Sequence, residues 1–170
     1  MIVRLGRKFS IPGINVVRRA EQVELLRGMG AEHVLNSSDA GFDEKLRELC
    51  RQLKASIAFD AVAGDMTLRV LRAQPKGSRM LVYGALALAP CHVDPGSVIF
   101  EDKRVEGFWL SGWLRHKSLF SKFRIAQQVQ KLLAGELKTE FQARFPLEQA
   151  ARALQQYAAN MTAGKVLLVP

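Results

Sequence analysis

The chain has 170 residues, 48% hydrophobic and 24% charged, with a formal charge of +9 at pH 7. These values predict one globular domain with a sizeable core and exclude a disordered chain. No apolar run approaches the ~20 residues of a membrane span, and residues 1–8 lack the apolar core of a secretion signal, so a cytoplasmic protein is expected. The basic residues are spread along the chain and do not alternate with aromatics, which weighs against nucleic acid as the main partner. Cys50 and Cys91 have no metal-ligand spacing, and Cys91, His92 and Asp94 in one proline-containing loop make a weak donor set, so no metal site is expected.

Met1, Leu5 and Phe9 repeat every four residues among Arg4, Arg7 and Lys8, which predicts the last turns of an amphipathic helix. Pro12-Gly13 then opens Ile14-Asn-Val-Val, a short β-branched run that reads as an interior strand of a parallel sheet. Arg18 and Arg19 follow at its carboxyl end. In open α/β sheets ligands sit at that edge, and there an arginine accommodates the 2′-phosphate of a dinucleotide where an acid would hold the free ribose hydroxyls. Two charge-assisted hydrogen bonds at roughly 1.5–3 kcal/mol each would favour the phosphorylated cofactor by roughly 10²–10⁴.

A helix is predicted over 20–29 and closed by Gly30. A strand follows over 33–36, and then a helix over 42–53 with Phe42, Leu46, Leu49, Cys50 and Leu53 on one stripe. That pattern makes Cys50 a buried residue. Ile57 to Gly64 is almost continuously apolar, the mark of a strand covered on both faces. Its one charge, Asp60, reads as a buried acid held by backbone N–H groups or a helix start. A helix over 67–73 and a strand over 79–83 come next, ended by Gly84, where a missing side chain would let a ligand lie against the backbone. Residues 90–100 read as a loop and 105–110 as a strand. Ser118 to Leu133 reads as a helix with Phe120, Phe123, Val129, Leu132 and Leu133 as its apolar side. A strand over 141–145 precedes a helix opened by Pro146, with Leu147, Ala150, Ala151, Leu154 and Ala158 as its buried stripe. Residues 164–169 form the terminal strand. Alternating strands and helices imply a parallel sheet with helices on both faces.

Six motifs occur in an order that spans practically the whole chain: Ile14-Asn-Val-Val-Arg-Arg, Met29-Gly-Ala-Glu-His-Val-Leu, Phe59-Asp-Ala-Val-Ala-Gly, Tyr83-Gly-Ala-Leu, Gly107-Phe-Trp-Leu and Gly164-Lys-Val-Leu-Leu. With them the sequence resembles the medium-chain dehydrogenase/reductase superfamily, and within it the zinc-free quinone oxidoreductases and trans-2-enoyl-CoA reductases. The resemblance implies a doubly wound, mostly parallel Rossmann-type sheet of six strands, NADPH as cofactor, hydride transfer to a quinone or enoyl thioester, and a homodimer joined near 105–110. It also implies cofactor contacts. Arg18, Arg19 and Ala20 would lie at the adenosine 2′-phosphate, and Tyr83, Gly84, Ala85 and Leu86 along the cofactor. Phe108, Trp109 and Leu110 would flank the nicotinamide, with Lys165 as a further contact.

Members of that superfamily begin with a substrate domain carrying the catalytic tyrosine and enter the Rossmann domain through a first strand and glycine-rich turn. Neither is present, so residues 1–170 read as a partial dinucleotide-binding domain with no catalytic residue, expected to bind cofactor weakly or not at all. The absent strand is the central one. Strands 14–17 and 57–62 are therefore expected to show unpaired edges, unless outside residues or another chain fill the slot or the two strands pair directly.

Overall fold

The computed structural model describes residues 1–139, 141–159 and 164–170. Helix α1 (Ile2–Lys8) is followed by β1 (Ile14–Val17), α2 (Ala20–Gly28), β2 (His33–Asn36), α3 (Phe42–Gln52), β3 (Ile57–Asp60), α4 (Asp65–Ala73) and β4 (Arg79–Val82). Then come α5 (Pro95–Ile99), β5 (Arg104–Gly107), α6 (Leu110–Arg115), α7 (Leu119–Leu133), β6 (Phe141–Pro146), α8 (Ala150–Ala159) and β7 (Lys165–Val169). Every strand pair is parallel, as the alternation of elements requires.

The strands do not join into one six-stranded sheet. Among the described residues they form three hydrogen-bonded groups, β1-β2, β3-β4-β5 and β6-β7. Among the described residues β1 pairs only with β2 and β3 only with β4, so the two strands have not closed on one another, as the expected gap requires. Ile57 and Phe59, on one face of β3, are 55% and 60% exposed. An apolar run that reads as covered on both faces is here covered on one.

Helix α3 is the hub of the core. Phe42, Leu46 and Cys50, one helical turn apart, are buried together with Ala73, and Ile14, Val16, Leu35, Met66 and Val70 pack against them. The helix thus takes side chains from β1 and β2 on one side and from α4 on the other. Cys50 is buried, as its stripe predicts, and burial pushes its thiol pKa up. Leu71 of α4 and Met80 of β4 are fully buried.

Several boundaries differ for local physical reasons. The 90–100 loop contains α5, whose start carries a readable signal: Asp94 Oδ1 accepts from Gly96 N at 3.1 Å and Pro95 sits in the first turn. The strand predicted over 105–110 ends at Gly107, and Leu110 begins α6. Pro146 closes β6 and precedes a 3₁₀ turn over Leu147–Gln149, so it does not open the α-helix. In α8 the buried residue is Ala153, while Leu147, Ala151, Leu154 and Ala158 are exposed. Helix α7 begins where Ser118 Oγ accepts from Ser121 N at 3.2 Å, yet none of its residues is buried, and Phe120 and Phe123 face solvent.

Candidate functional site

Within each group the parallel strands gather their C-terminal ends at one edge, and the predicted ligand residues fall mostly at these exits. At the exit of β1, Ser37 N donates to Val17 O at 2.7 Å and Ser38 Oγ donates to Arg18 O at 3.0 Å. Gln22 Oε1, three residues into α2, accepts from both Arg18 N and Arg19 N at 3.2 Å. The backbone of the two arginines is thereby fixed at the start of α2, where unpaired N–H groups favour an anion. The side chains differ. Arg19 Nε lies 3.1 Å from Glu21 Oε1, whereas the exposed Arg18 guanidinium has no ion-pair partner among the described residues. Ala20 is the first residue of α2.

A second rim segment is formed by β3, β4 and β5. Tyr83 N donates to Asp60 O at 2.9 Å and Phe108 N to Val82 O at 2.8 Å, so the exits of the three strands lie side by side. Asp60 is a structural acid, as expected: Oδ1 accepts from Val62 N and Ala63 N at 2.8 and 3.0 Å, and Oδ2 accepts from Thr67 Oγ1 at 2.6 Å. It locks the turn into α4, in which Ala63 and Gly64 both have positive φ.

Gly84 meets a second, internal requirement for glycine. A Cβ there would sit 2.8 Å from Ala61 O, so the close approach of the chain's own backbone at the β3 exit by itself calls for glycine. Leu86 N and Ala87 N donate to Ala61 O and Val62 O at 3.1 and 2.8 Å, which binds the 83–87 loop to the β3 exit. Beyond β5, the Phe108 and Trp113 rings meet tilted at 52° with centroids 6.3 Å apart, and the Arg115 guanidinium lies 5.2 Å from the Trp109 ring centroid. Phe108, Trp109 and Leu110 are substantially exposed.

Lys165 stands apart. It is the first residue of β7, paired with Phe141 in the separate β6-β7 group, and so lies at a strand's entry and not on the C-terminal rim. There are two recesses, of about 270 and 290 Å³, the first reaching the exit of β2 at Asn36 and the second at β7 and α8. One is lined by Val34, Asn36, Asp39 and Lys45, and the other by Ala153, Tyr157, Lys165 and Val166.

The residue that sequence reasoning missed is Arg69 of α4. Its Nε and Nη2 bind Asp43 Oδ1 and Oδ2 at 2.7 and 3.1 Å, Nη1 reaches Ser37 O at 3.3 Å, and the guanidinium lies 4.4 Å from the Phe42 ring centroid. It ties the exit of β2 to the helix that follows β3. No local pattern announces it, because its partners are 26 and 32 residues away in sequence.

Parallel strands with intervening helices, and cationic and aromatic residues at their exits, define a Rossmann-type α/β domain. The chain belongs to the family described as zinc-binding dehydrogenase, which matches residues 11–124. Among curated relatives, the mitochondrial enoyl-[acyl-carrier-protein] reductase of Xenopus tropicalis is 26% identical over 99% of this chain and 50% of its own length. The human enzyme of that name is 25% identical over 98% and 46%. A Mesorhizobium loti crystal structure assigned provisionally as an NADPH:quinone reductase is 33% identical, with TM-score 0.80, covering 99% of this chain and 49% of that one. A Bacillus thuringiensis structure at 22% identity and TM-score 0.83 shares the fold.

The chain therefore spans about half the length of the proteins it resembles. The family description mentions zinc, but the described residues hold no group of three or more His, Cys, Asp or Glu side chains able to bind a metal ion. No helix among them is long and apolar enough to cross a membrane.

Proposed function

We propose that residues 1–170 are the cofactor-binding portion of an NADPH-dependent oxidoreductase that reduces a quinone or an enoyl thioester. The observation that carries this reading is Arg18: an exposed guanidinium with no ion-pair partner among the described residues, at the exit of a parallel strand, beside the first turn of α2, in a chain of this family. The residues on the rim fit a 2′-phosphorylated dinucleotide. Arg18 would hold the 2′-phosphate with Arg19, which must first loosen from Glu21, and Ala20 would offer its amide at the helix start. Tyr83 to Leu86 would follow the cofactor along the β4 exit, and Phe108 to Leu110 would exclude water from the nicotinamide. Lys165 belongs to the reading through the resemblance alone. NADPH, when bound, supplies the hydride.

No residue of this chain is assigned a catalytic role. The quinone and the enoyl thioester are drawn from the names of the relatives, and a homodimer through the outer edge of β5 completes the proposal. Cytoplasmic location belongs to it too, with the mitochondrial names of the curated relatives supplying the competing assignment.

The test is a fluorescence titration with NADPH and NADH. Saturable NADPH binding at a concentration about 10²-fold below that needed for NADH, with the preference lost in Arg18→Ala/Arg19→Ala, supports the reading. No change at millimolar cofactor leaves a second reading, a non-catalytic fragment or partner of a larger subunit, which the half-length match favours. Steep salt dependence with no preference between the cofactors would mark general polyanion binding instead.

A further inference from the structure

We propose that the chain holds one internal water molecule at the entries of β3, β4 and β5, bound by Gln74 Oε1, Ser78 Oγ and Lys103 Nζ. The site lies at the end of these strands opposite their exits and is independent of the cofactor reading. Three segments meet there. Arg79 N donates to Ser56 O at 2.8 Å, Gly77 N to Glu101 O at 2.8 Å and Arg104 N to Ser78 O at 2.9 Å. The turn between α4 and β4 is thereby held between the chain leading into β3 and the chain leading into β5. Side chains reinforce the same junction: Gln74 Nε2 reaches Ala55 O and Lys103 Nζ reaches Arg72 O, each at 3.5 Å.

Two buried polar atoms of this junction, Gln74 Oε1 and Ser78 Oγ, have no hydrogen-bond partner among the described residues. Gln74 is 4% exposed and Ser78 0%, so bulk solvent does not reach them. Folded chains pair nearly all such atoms, and use ordered water where no protein group is within reach. Lys103, 2% exposed, donates to Glu101 Oε2 at 2.8 Å and to Arg72 O at the longer distance. An ammonium group has three N–H donors, so one is left over.

The chemistry of the three groups selects the occupant. A cation would meet the Lys103 ammonium, and an anion would meet the Gln74 carbonyl oxygen beside a lysine that Glu101 already neutralises. A neutral group that donates twice and accepts once suits all three. Its protons go to Gln74 Oε1 and Ser78 Oγ, and its oxygen accepts from Lys103 Nζ. Water has that inventory, and three hydrogen bonds are the usual complement of an internal water. The molecule joins the end of α4 to the starts of β4 and β5.

Oxygen-17 magnetic relaxation dispersion of water, recorded on the 170-residue chain, counts long-lived internal water oxygens and is blind to exchanging hydroxyl and ammonium protons. The amplitude should fall by the equivalent of one oxygen in Gln74→Met/Ser78→Ala, which nearly keeps the volume and removes both orphan atoms. No fall overturns the proposal. Ser78→Ala alone should raise the unfolding equilibrium constant by about fivefold or more, because the bound water loses a partner. The same change should have less than about a twofold effect once Gln74 is methionine. A constant that is unchanged or lowered by Ser78→Ala overturns the proposal, since it marks a hydroxyl with no partner to lose. A crystal structure of the unaltered chain decides the question without any variant. A water oxygen within about 3.2 Å of both Gln74 Oε1 and Ser78 Oγ supports the site, and a direct hydrogen bond between those two side chains overturns it.

Discussion

Arg69 and Asp43 form a two-pronged ion pair between α4 and α3, at 2.7 and 3.1 Å, across 26 residues of sequence. The planar guanidinium matches the carboxylate fork, and its remaining nitrogen reaches Ser37 O. It is the polar counterpart of the apolar cluster on α3.

Replacing Arg69 with alanine should lower stability by about 1–3 kcal/mol, since a charge-assisted pair, a carbonyl bond and a ring contact go together. Lysine, a point charge without the fork, should recover less than half of that loss. Urea denaturation midpoints of the two variants measure the difference.

Thr67→Val should cost about 1–3 kcal/mol, because the buried Asp60 carboxylate loses its hydroxyl donor while the volume stays constant. Asp60→Ala should cost more, since two backbone N–H groups then lose their acceptor as well. A Thr67→Val loss larger than that of Asp60→Ala would contradict this assignment.

Lys103 is only 2% exposed, and its Nζ lies 2.8 Å from Glu101 Oε2. The hydrogen bond from Lys103 holds the Glu101 carboxyl below the usual carboxylate range. A depressed folded-state pKa contributes stability that is present above the unfolded value, about 4.3, and lost as pH falls through the folded value. Glu101→Gln should therefore destabilise the chain at pH 7 and flatten the acid limb of its stability curve. Lys103→Met/Glu101→Gln should restore part of the neutral-pH stability by removing the buried charge. Thermal melts from pH 3 to 7 read both effects.

Cys50 should resist alkylation in the folded chain at pH 8, because it is buried and its thiol pKa is raised by that burial. Cys91, only half-buried, should react first. Mass-resolved iodoacetamide labelling, with and without denaturant, orders the two sites.

Gly84→Ala should destabilise by about 1–3 kcal/mol, since the added methyl meets the Ala61 carbonyl at 2.8 Å and that contact is backbone. Gly107→Ala, where a Cβ meets nothing within 4 Å, serves as the control. Equal melting temperatures for the two would refute the close approach of the 83–87 loop to the β3 exit.

Much of this chain is local and was legible as such. The α3 stripe announced its buried face, including Cys50, because a 3.6-residue period puts Phe42, Leu46 and Cys50 on one line. Arg18 and Arg19 could be placed at a strand exit because β-branched residues stop where they begin. The Asp60 role followed from a single acid in an apolar run. The α5 start at Asp94-Pro95 also carries a local signal, but the helix is only five residues long, too short for an apolar period to show. Element starts and ends drifted where a proline or glycine admitted two geometries, as at Pro146 and Gly107.

The sequence by itself determined the order of strands and helices, their parallel class, the buried side of α3 and the cationic strand exit, because each depends on neighbours within a few residues. Only the tertiary structure decided what the strands do with their free edges, which apolar faces stay open to water and which residue ties the β2 exit to α3 and α4. Those outcomes depend on contacts between positions tens of residues apart, and on whether an edge finds a partner, which periodicity along the chain does not encode.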